Sequence, residues 1–157
     1  MKKIIFALTA CLAAGVASAE QWHFFNFGAT HFDLLDMDSR VCDKKVCSAW
    51  VAMVPTDLSL PYDLEMLRLK VDCSDNKMQV PVFARYNKGK VVGKNENGTD
   101  WLYATPGSAL EHTAKVICNP SSVEKDNRAT GSRAIKDIRE AAPKIQGVIA
   151  ELTGKKR

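Results

Sequence analysis

Four cysteines placed downstream of an export signal constrain this chain more than any other feature. The sequence begins MKKIIFALTACLAAGVASAEQ, with Lys2 and Lys3 as a positive start. An apolar run from Ile4 to Val16 follows, and then Ala17-Ser18-Ala19, an A-x-A cleavage site. Residues 1–19 therefore read as a bacterial-style signal peptide, and Cys11 leaves with it. Cys42, Cys47, Cys73 and Cys118 remain. An even number of cysteines in an exported chain implies two disulfides, with the connectivity open at this stage. Their gaps lack the paired CxxC form of a structural zinc site. No cysteine stands at the cleavage point, so no lipid anchor is expected. No later stretch stays apolar for about 18 residues, so no transmembrane segment is expected and the mature protein should be soluble.

Between the signal and Tyr103 the pattern is that of short strands. QWHFFNF ends at Gly28 and THFDLLDM follows, a hairpin pattern. VCDKKVC places Asp43-Lys44-Lys45 between two Val-Cys ends. VCSAWVAMV alternates only weakly before Pro55. In PYDLEMLRLKVDC, Leu67, Leu69, Val71 and Cys73 share one side, and Arg68, Lys70 and Asp72 share the other. In KMQVPVFARYN, Met78, Val80, Val82, Ala84 and Tyr86 are in phase, and Pro81 signals an edge or a bulge. NKGK is a turn. VVG and WLYA read as short strands around Asn97-Gly98, a tight-turn pair that also opens an Asn-Gly-Thr glycosylation sequon. Short connections imply an antiparallel sheet of about six strands in an α+β domain, with one apolar face that needs a cover.

WLYATPGSALEHTAKVIC supplies the cover. Pro106-Gly107 breaks the chain, and Ser108 stands three residues before Glu111 in a capping box. In that box the Ser108 hydroxyl accepts from the Glu111 amide, and the Glu111 carboxylate reaches back to the Ser108 amide. Leu110, Ala114, Ile117 and Cys118 then fall on one helical face, and Asn119-Pro120 ends the helix. Ser108, Glu111 and His112 are also the side-chain types of a hydrolase triad. Ser108 is occupied as a cap, however, and no G-x-S-x-G elbow surrounds it, so no catalytic residue is assigned. Cys118 on the buried face of the helix and Cys73 on the buried phase of its strand are the natural partners. Cys42 and Cys47 then cross-link the two arms of a turn.

These residues resemble the surface-adhesin protein E family of Gram-negative bacteria. The likeness lies in HFDLLDMDSRV around Asp33 and Asp36, in VDC ending at Cys73, and in YNKGKVV from Tyr86 to Val92. It is strongest in Trp101 followed by Pro106-Gly107-Ser108 and a helix ending at Cys118. It spans roughly residues 22–118. The resemblance implies an antiparallel sheet with one helix tied by a disulfide to its concave side, which supports the Cys73–Cys118 pairing. It also implies an adhesin that binds host matrix proteins such as vitronectin and laminin, and that takes haem as a dimer. No ligand-binding segment transfers residue by residue. The chain departs from the family in its Cys42/Cys47 pair, in a long C-terminal extension, and in lacking a lipoprotein cysteine.

The domain is thus expected over residues 20–120, with a polar linker over 121–133 and an amphipathic helical tail over 134–153. In the tail Ile135, Ile138, Ala142, Ile145, Ile149 and Leu152 form a stripe with coiled-coil spacing, and Pro143 should kink the helix or start a new one near Ala142. The stripe either docks on the domain or makes a homo-oligomer or partner contact. The first 100 residues of the mature chain are net acidic and the rest is net basic, ending in Lys155-Lys156-Arg157. Nothing in the sequence resembles a nucleic-acid module.

The expected function is that of an exported, non-catalytic, adhesin-like envelope protein, periplasmic or at the outer surface. Trp22, Phe24, Phe25 and Trp50 are candidates for its binding face. No metal site and no cofactor are assigned. Haem held through His23, His31 or His112 is the one cofactor option, and no C-x-x-C-H is present.

Overall fold

The structure, a computed structural model, describes residues 21–27, 30–121 and 135–154. The segment expected as a signal peptide (residues 1–19), Gly28, the expected linker from residue 122 onward and the basic end fall outside the described residues. Eight strands form one antiparallel sheet: β1 (Trp22–Phe27), β2 (His31–Asp36), β3 (Val41–Asp43), β4 (Val46–Pro55), β5 (Leu64–Asp72), β6 (Lys77–Asn87), β7 (Lys90–Asn95) and β8 (Leu102–Tyr103). Among the described residues two helices accompany it, α1 (Ala109–Cys118) and α2 (Ile138–Thr153). The fold is α+β, as the strand and helix patterns indicate.

The strand order is β1-β2-β4-β5-β6-β7, with β3 beside the start of β4 and β8 beside the start of β6. The central strands β4 and β5 are long; β4 borders β2 and β3 along one edge, and β6 borders β7 and β8 along its outer edge. VVG and WLYA are therefore not a hairpin. β7 pairs with Phe83–Asn87 and β8 with Lys77 and Met78, both along β6. Thr99 fills the gap between them, donating its amide to the Val80 carbonyl at 3.0 Å and accepting the Val80 amide at its hydroxyl at 3.0 Å.

Both faces of the sheet are covered. Odd-numbered residues Leu35, Cys47, Ala49, Val51, Leu69 and Val71 pack beneath Ala114, Val116 and Ile117 of α1. Even-numbered residues Leu34, Ala52, Val54, Leu64 and Met66, with Trp22, pack against Ile138 and Ala142 of α2. This explains the weak alternation of VCSAWVAMV: a strand buried on both sides has no polar phase. The apolar stripe of α2 faces the sheet. Gln146 is buried with it and donates to the Pro55 carbonyl at 3.1 Å, and Ile135 exchanges two backbone hydrogen bonds with Trp22. Leu152, the last residue of the stripe, stays exposed. The helix starts at Asp137, whose Oδ1 accepts the Arg139 and Glu140 amides, and it runs on through Pro143. No new helix begins at Ala142, because the Asp137 cap fixes the start a turn earlier.

Two bulges change which way side chains point. Arg68 pairs with Val82 but Lys70 with Gln79, so β6 carries an extra residue at Val80-Pro81. Met78 and Val80 consequently face α1, whereas Ala84 and Tyr86 pair with Met66 and Leu64 on the α2 side. The five-residue phase expected along β6 is thus split in two by the proline. In β1, Phe24 pairs with Leu34 but Asn26 with Asp33, which swings Asn26 onto the α1 face.

Both disulfides are present. Cys42 and Cys47 sit directly opposite each other on β3 and β4, with Cα atoms 4.0 Å apart. Cys73 joins Cys118 across 45 residues, with Cα atoms 5.8 Å apart, and fastens the end of α1 to the end of β5. Closing a loop of that length stabilises by about 4 kcal/mol in the chain-entropy model.

Candidate binding cavity

The start of α1 is fixed by two reciprocal contacts. The Ser108 hydroxyl accepts the Glu111 amide at 3.2 Å, and a Glu111 carboxylate oxygen accepts the Gly107 amide at 2.8 Å. The carboxylate reaches Gly107 and not Ser108, because the Ser108 amide is taken by the Thr105 carbonyl at 3.0 Å. Lys115 and the Gly107 amide hold the Glu111 carboxyl below its ordinary range. At the other end, Arg40 donates to the carbonyls of Ile117 and Cys118 at 2.6 and 3.1 Å. The helix is therefore pinned at both ends.

Its two halves relate differently to the sheet. The C-terminal half packs closely through Ala114, Val116 and Ile117. Over the N-terminal half, Ala109, Leu110 and Thr113 stand above Val51, Met53, Leu67, Leu69, Met78 and Val80, and a cavity of about 280 Å³ lies between them. Leu110, expected on the buried face, is 48 % exposed and forms part of the cavity rim with Thr99 and Leu102. Of the exposed side chains Trp101, Leu102 and Tyr103, only Leu102 lines the cavity, while Tyr103 pairs with Lys77 on the other face of the sheet, its ring 4.8 Å from Lys77 Nζ.

The cavity walls are mostly apolar; His31 and Asp33 are the titratable side chains of the lining, and Thr99 and Thr113 add hydroxyls. Asp33 is buried, at 3 % exposure. Asn26 Nδ2 donates to its Oδ2 at 2.7 Å, a contact made possible by the β1 bulge. Its Oδ1 lies 3.2 Å from His31 Nε2 as an ion-pair contact, without the alignment of a hydrogen bond. Burial pushes the Asp33 carboxyl above its ordinary range, against the Asn26 hydrogen bond and the nearby His31 and His112, which lower it. Thr30 Oγ1 holds the far side of the His31 ring at 2.8 Å.

The triad types of the helix start are not assembled for chemistry. Ser108 Oγ is the cap, while the His112 ring lies on Phe25, centroids 6.1 Å apart, with Nε2 3.4 Å from the Phe25 carbonyl. Among the described residues no group of three or more His, Cys, Asp or Glu side chains is placed to hold a metal ion. No described helix is long and apolar enough to cross a membrane.

The aromatic residues proposed as a binding face do not share one. Trp22 is 1 % exposed and belongs to the core beneath α2. Trp50 packs on that same core, with the Arg68 guanidinium 5.8 Å from its ring. Phe24 is exposed and lies 6.2 Å from Phe32, whereas Phe25 packs on the opposite side, on the α1 core. Strand alternation makes this split inevitable, since neighbours in β1 point to opposite faces. The large exposed apolar side chains that line the cavity are instead Leu102 and Leu110. The sequence did carry a sign of it: a W-L-Y run placed just before a Pro-Gly break.

No protein-family model and no curated protein sequence matches the chain. Among solved structures it is similar to crystal form II of Haemophilus influenzae protein E, with 11 % identity and a TM-score of 0.44. That overlap covers 63 % of this chain and 93 % of the other. A likeness this weak carries no functional information.

Proposed function

We propose that this chain is an exported, non-catalytic binding protein of the bacterial envelope, and that its binding site is the cavity beneath the first half of α1. One observation carries the reading: a mostly apolar hollow of about 280 Å³ whose titratable lining side chains are His31 and Asp33, with Thr99, Leu102 and Leu110 among its exposed lining residues. Pockets of this kind, mostly apolar with a few converging polar groups, are the usual form of a small-ligand site. By proportion to a cavity of ~150 Å³ that holds benzene, it has room for roughly ten heavy atoms. A porphyrin exceeds that and does not fit inside it. Two disulfides suit an oxidising compartment outside the cytoplasm. Ser108 Oγ is engaged as the helix cap and the His112 ring lies on Phe25, which supports binding over turnover. Adhesion to host matrix proteins is the finer role implied by the family resemblance, and the exposed side chains of Leu102 and Leu110 at the cavity are the surface it would use.

Thermal denaturation in the presence of n-propylbenzene tests the site. The melting temperature should rise saturably with ligand, and Leu110→Trp, which puts a larger side chain at the rim, should abolish the rise while the protein stays folded. An absent rise would remove the cavity as a binding site.

A further inference from the structure

The titratable lining of the cavity is chemically one-sided. It holds the carboxyl of Asp33 and the imidazole of His31, and it contains no lysine or arginine. Asp33 is buried, yet only one of its two oxygens has a hydrogen-bond donor, Asn26. Oδ1 has the 3.2 Å contact with His31 and no aligned partner. A buried carboxyl oxygen in this state gains from a charged donor, and charge-assisted hydrogen bonds are roughly twice as strong as neutral ones. An anionic group would face the Asp33 carboxyl with only the His31 imidazole, and no lysine or arginine, in the lining to offset it. A purely apolar ligand would leave Oδ1 as it is.

We propose that the cavity takes a small amine, with its ammonium group on Asp33 Oδ1 and a short apolar stem along Met53, Leu67, Met78 and Leu110. This rests on the reading of the cavity as a binding site. The stem fills the volume, and the ammonium supplies the aligned charged donor that Oδ1 lacks beside its His31 contact. Asn26 and His31 fix the carboxyl so that it faces the ligand in one orientation. The β1 bulge has a function in this arrangement, since it alone brings Asn26 to the Asp33 side.

The test compares three ligands of similar size on the folded, oxidised chain by NMR titration: 2-phenylethylamine, n-propylbenzene and phenylacetate. The amine should bind roughly tenfold or more tightly than the other two. Asp33→Asn should reduce amine affinity to that of n-propylbenzene and leave n-propylbenzene unchanged. An amine that binds no tighter than phenylacetate, or that keeps its affinity in Asp33→Asn, overturns the inference. If Asp33→Asn does not fold, the ranking of the three ligands on the parent chain decides alone. Binding of n-propylbenzene without any gain for the amine removes only the amine assignment, whereas failure of all three removes the cavity site as well.

Discussion

Arg40 Nε donates to the Ile117 carbonyl at 2.6 Å, joining the β2–β3 turn to the last turn of α1 across 77 positions of sequence. Nη2 of the same side chain reaches the Cys118 carbonyl at 3.1 Å. The end of a helix leaves carbonyls without intrahelical partners and carries partial negative charge, so a guanidinium there satisfies both needs. Arg40→Ala should lower stability by about 1–3 kcal/mol. Arg40→Lys, with a single point charge, should recover only part of the loss. Urea denaturation of the two variants measures this.

The two disulfides should differ in worth. Replacing Cys73 and Cys118 together by alanine opens the 45-residue loop and should cost about 4 kcal/mol. Replacing Cys42 and Cys47 opens a separation of 5 and should cost about 2 kcal/mol, because β3 and β4 are already joined by a tight turn. Denaturant midpoints of the two double variants, each compared with the parent, give the order. Equal losses would contradict the role of Cys118 as the anchor of α1.

Ser108→Ala should reduce stability by about 1 kcal/mol through loss of the N-cap. Ligand binding by the folded variant should persist, since Ser108 faces the Glu111 amide and does not line the cavity. A chemical melt paired with a ligand titration separates the two effects.

Asp33 makes stability depend on pH in a definite direction. Its carboxyl is raised from the ordinary value of 3.8, so the native state holds this proton more tightly than the unfolded chain does. Between 3.8 and the raised native value the folded protein binds more protons, and stability contributed by this group falls as pH rises. Above that window the cost of the buried carboxylate is complete. The stability of Asp33→Asn relative to the parent should therefore rise from pH 3.8 upward and then level off. Matched denaturation curves over this range cancel the other titrating groups.

The tail helix belongs to the packed structure on the α2 face. Ile138→Ala should cost about 2–5 kcal/mol, as for other large-to-small core changes. Leu152→Ala, at an exposed position of the same stripe, should stay within about 0.5 kcal/mol. Similar effects from both would mean that α2 is not held as described.

Much of this architecture was readable from the residues. The capping pair Ser108/Glu111, the buried phase of Leu67, Leu69 and Val71, and the two cysteine pairs are local or follow from simple periodicity. What could not be read came from tertiary context. Two-sided burial of β4 erased its alternation, and the second face became evident only with α2 lying on it. Pro81 announced a bulge, but the resulting change of side for Val82–Tyr86 depends on pairing with β5. Leu110 obeyed the helical period and still reached the rim, because α1 is drawn down at Cys118 and stands off at its capped end. Asn26 could not be placed beside Asp33 without the β1 bulge. Arg40 carries no sequence signal for a helix 77 positions away.

Methyl-detected NMR of the folded chain during titration with n-propylbenzene tests the binding site most directly. The methyl signals of Met53, Leu67, Met78 and Leu110 should shift together and saturate along one binding curve, with those of Ile138 and Leu152 beneath and beyond the opposite face unmoved. Shifts that fail to saturate, or that avoid these four residues, would contradict the assignment of the cavity under α1 as the place where this protein binds.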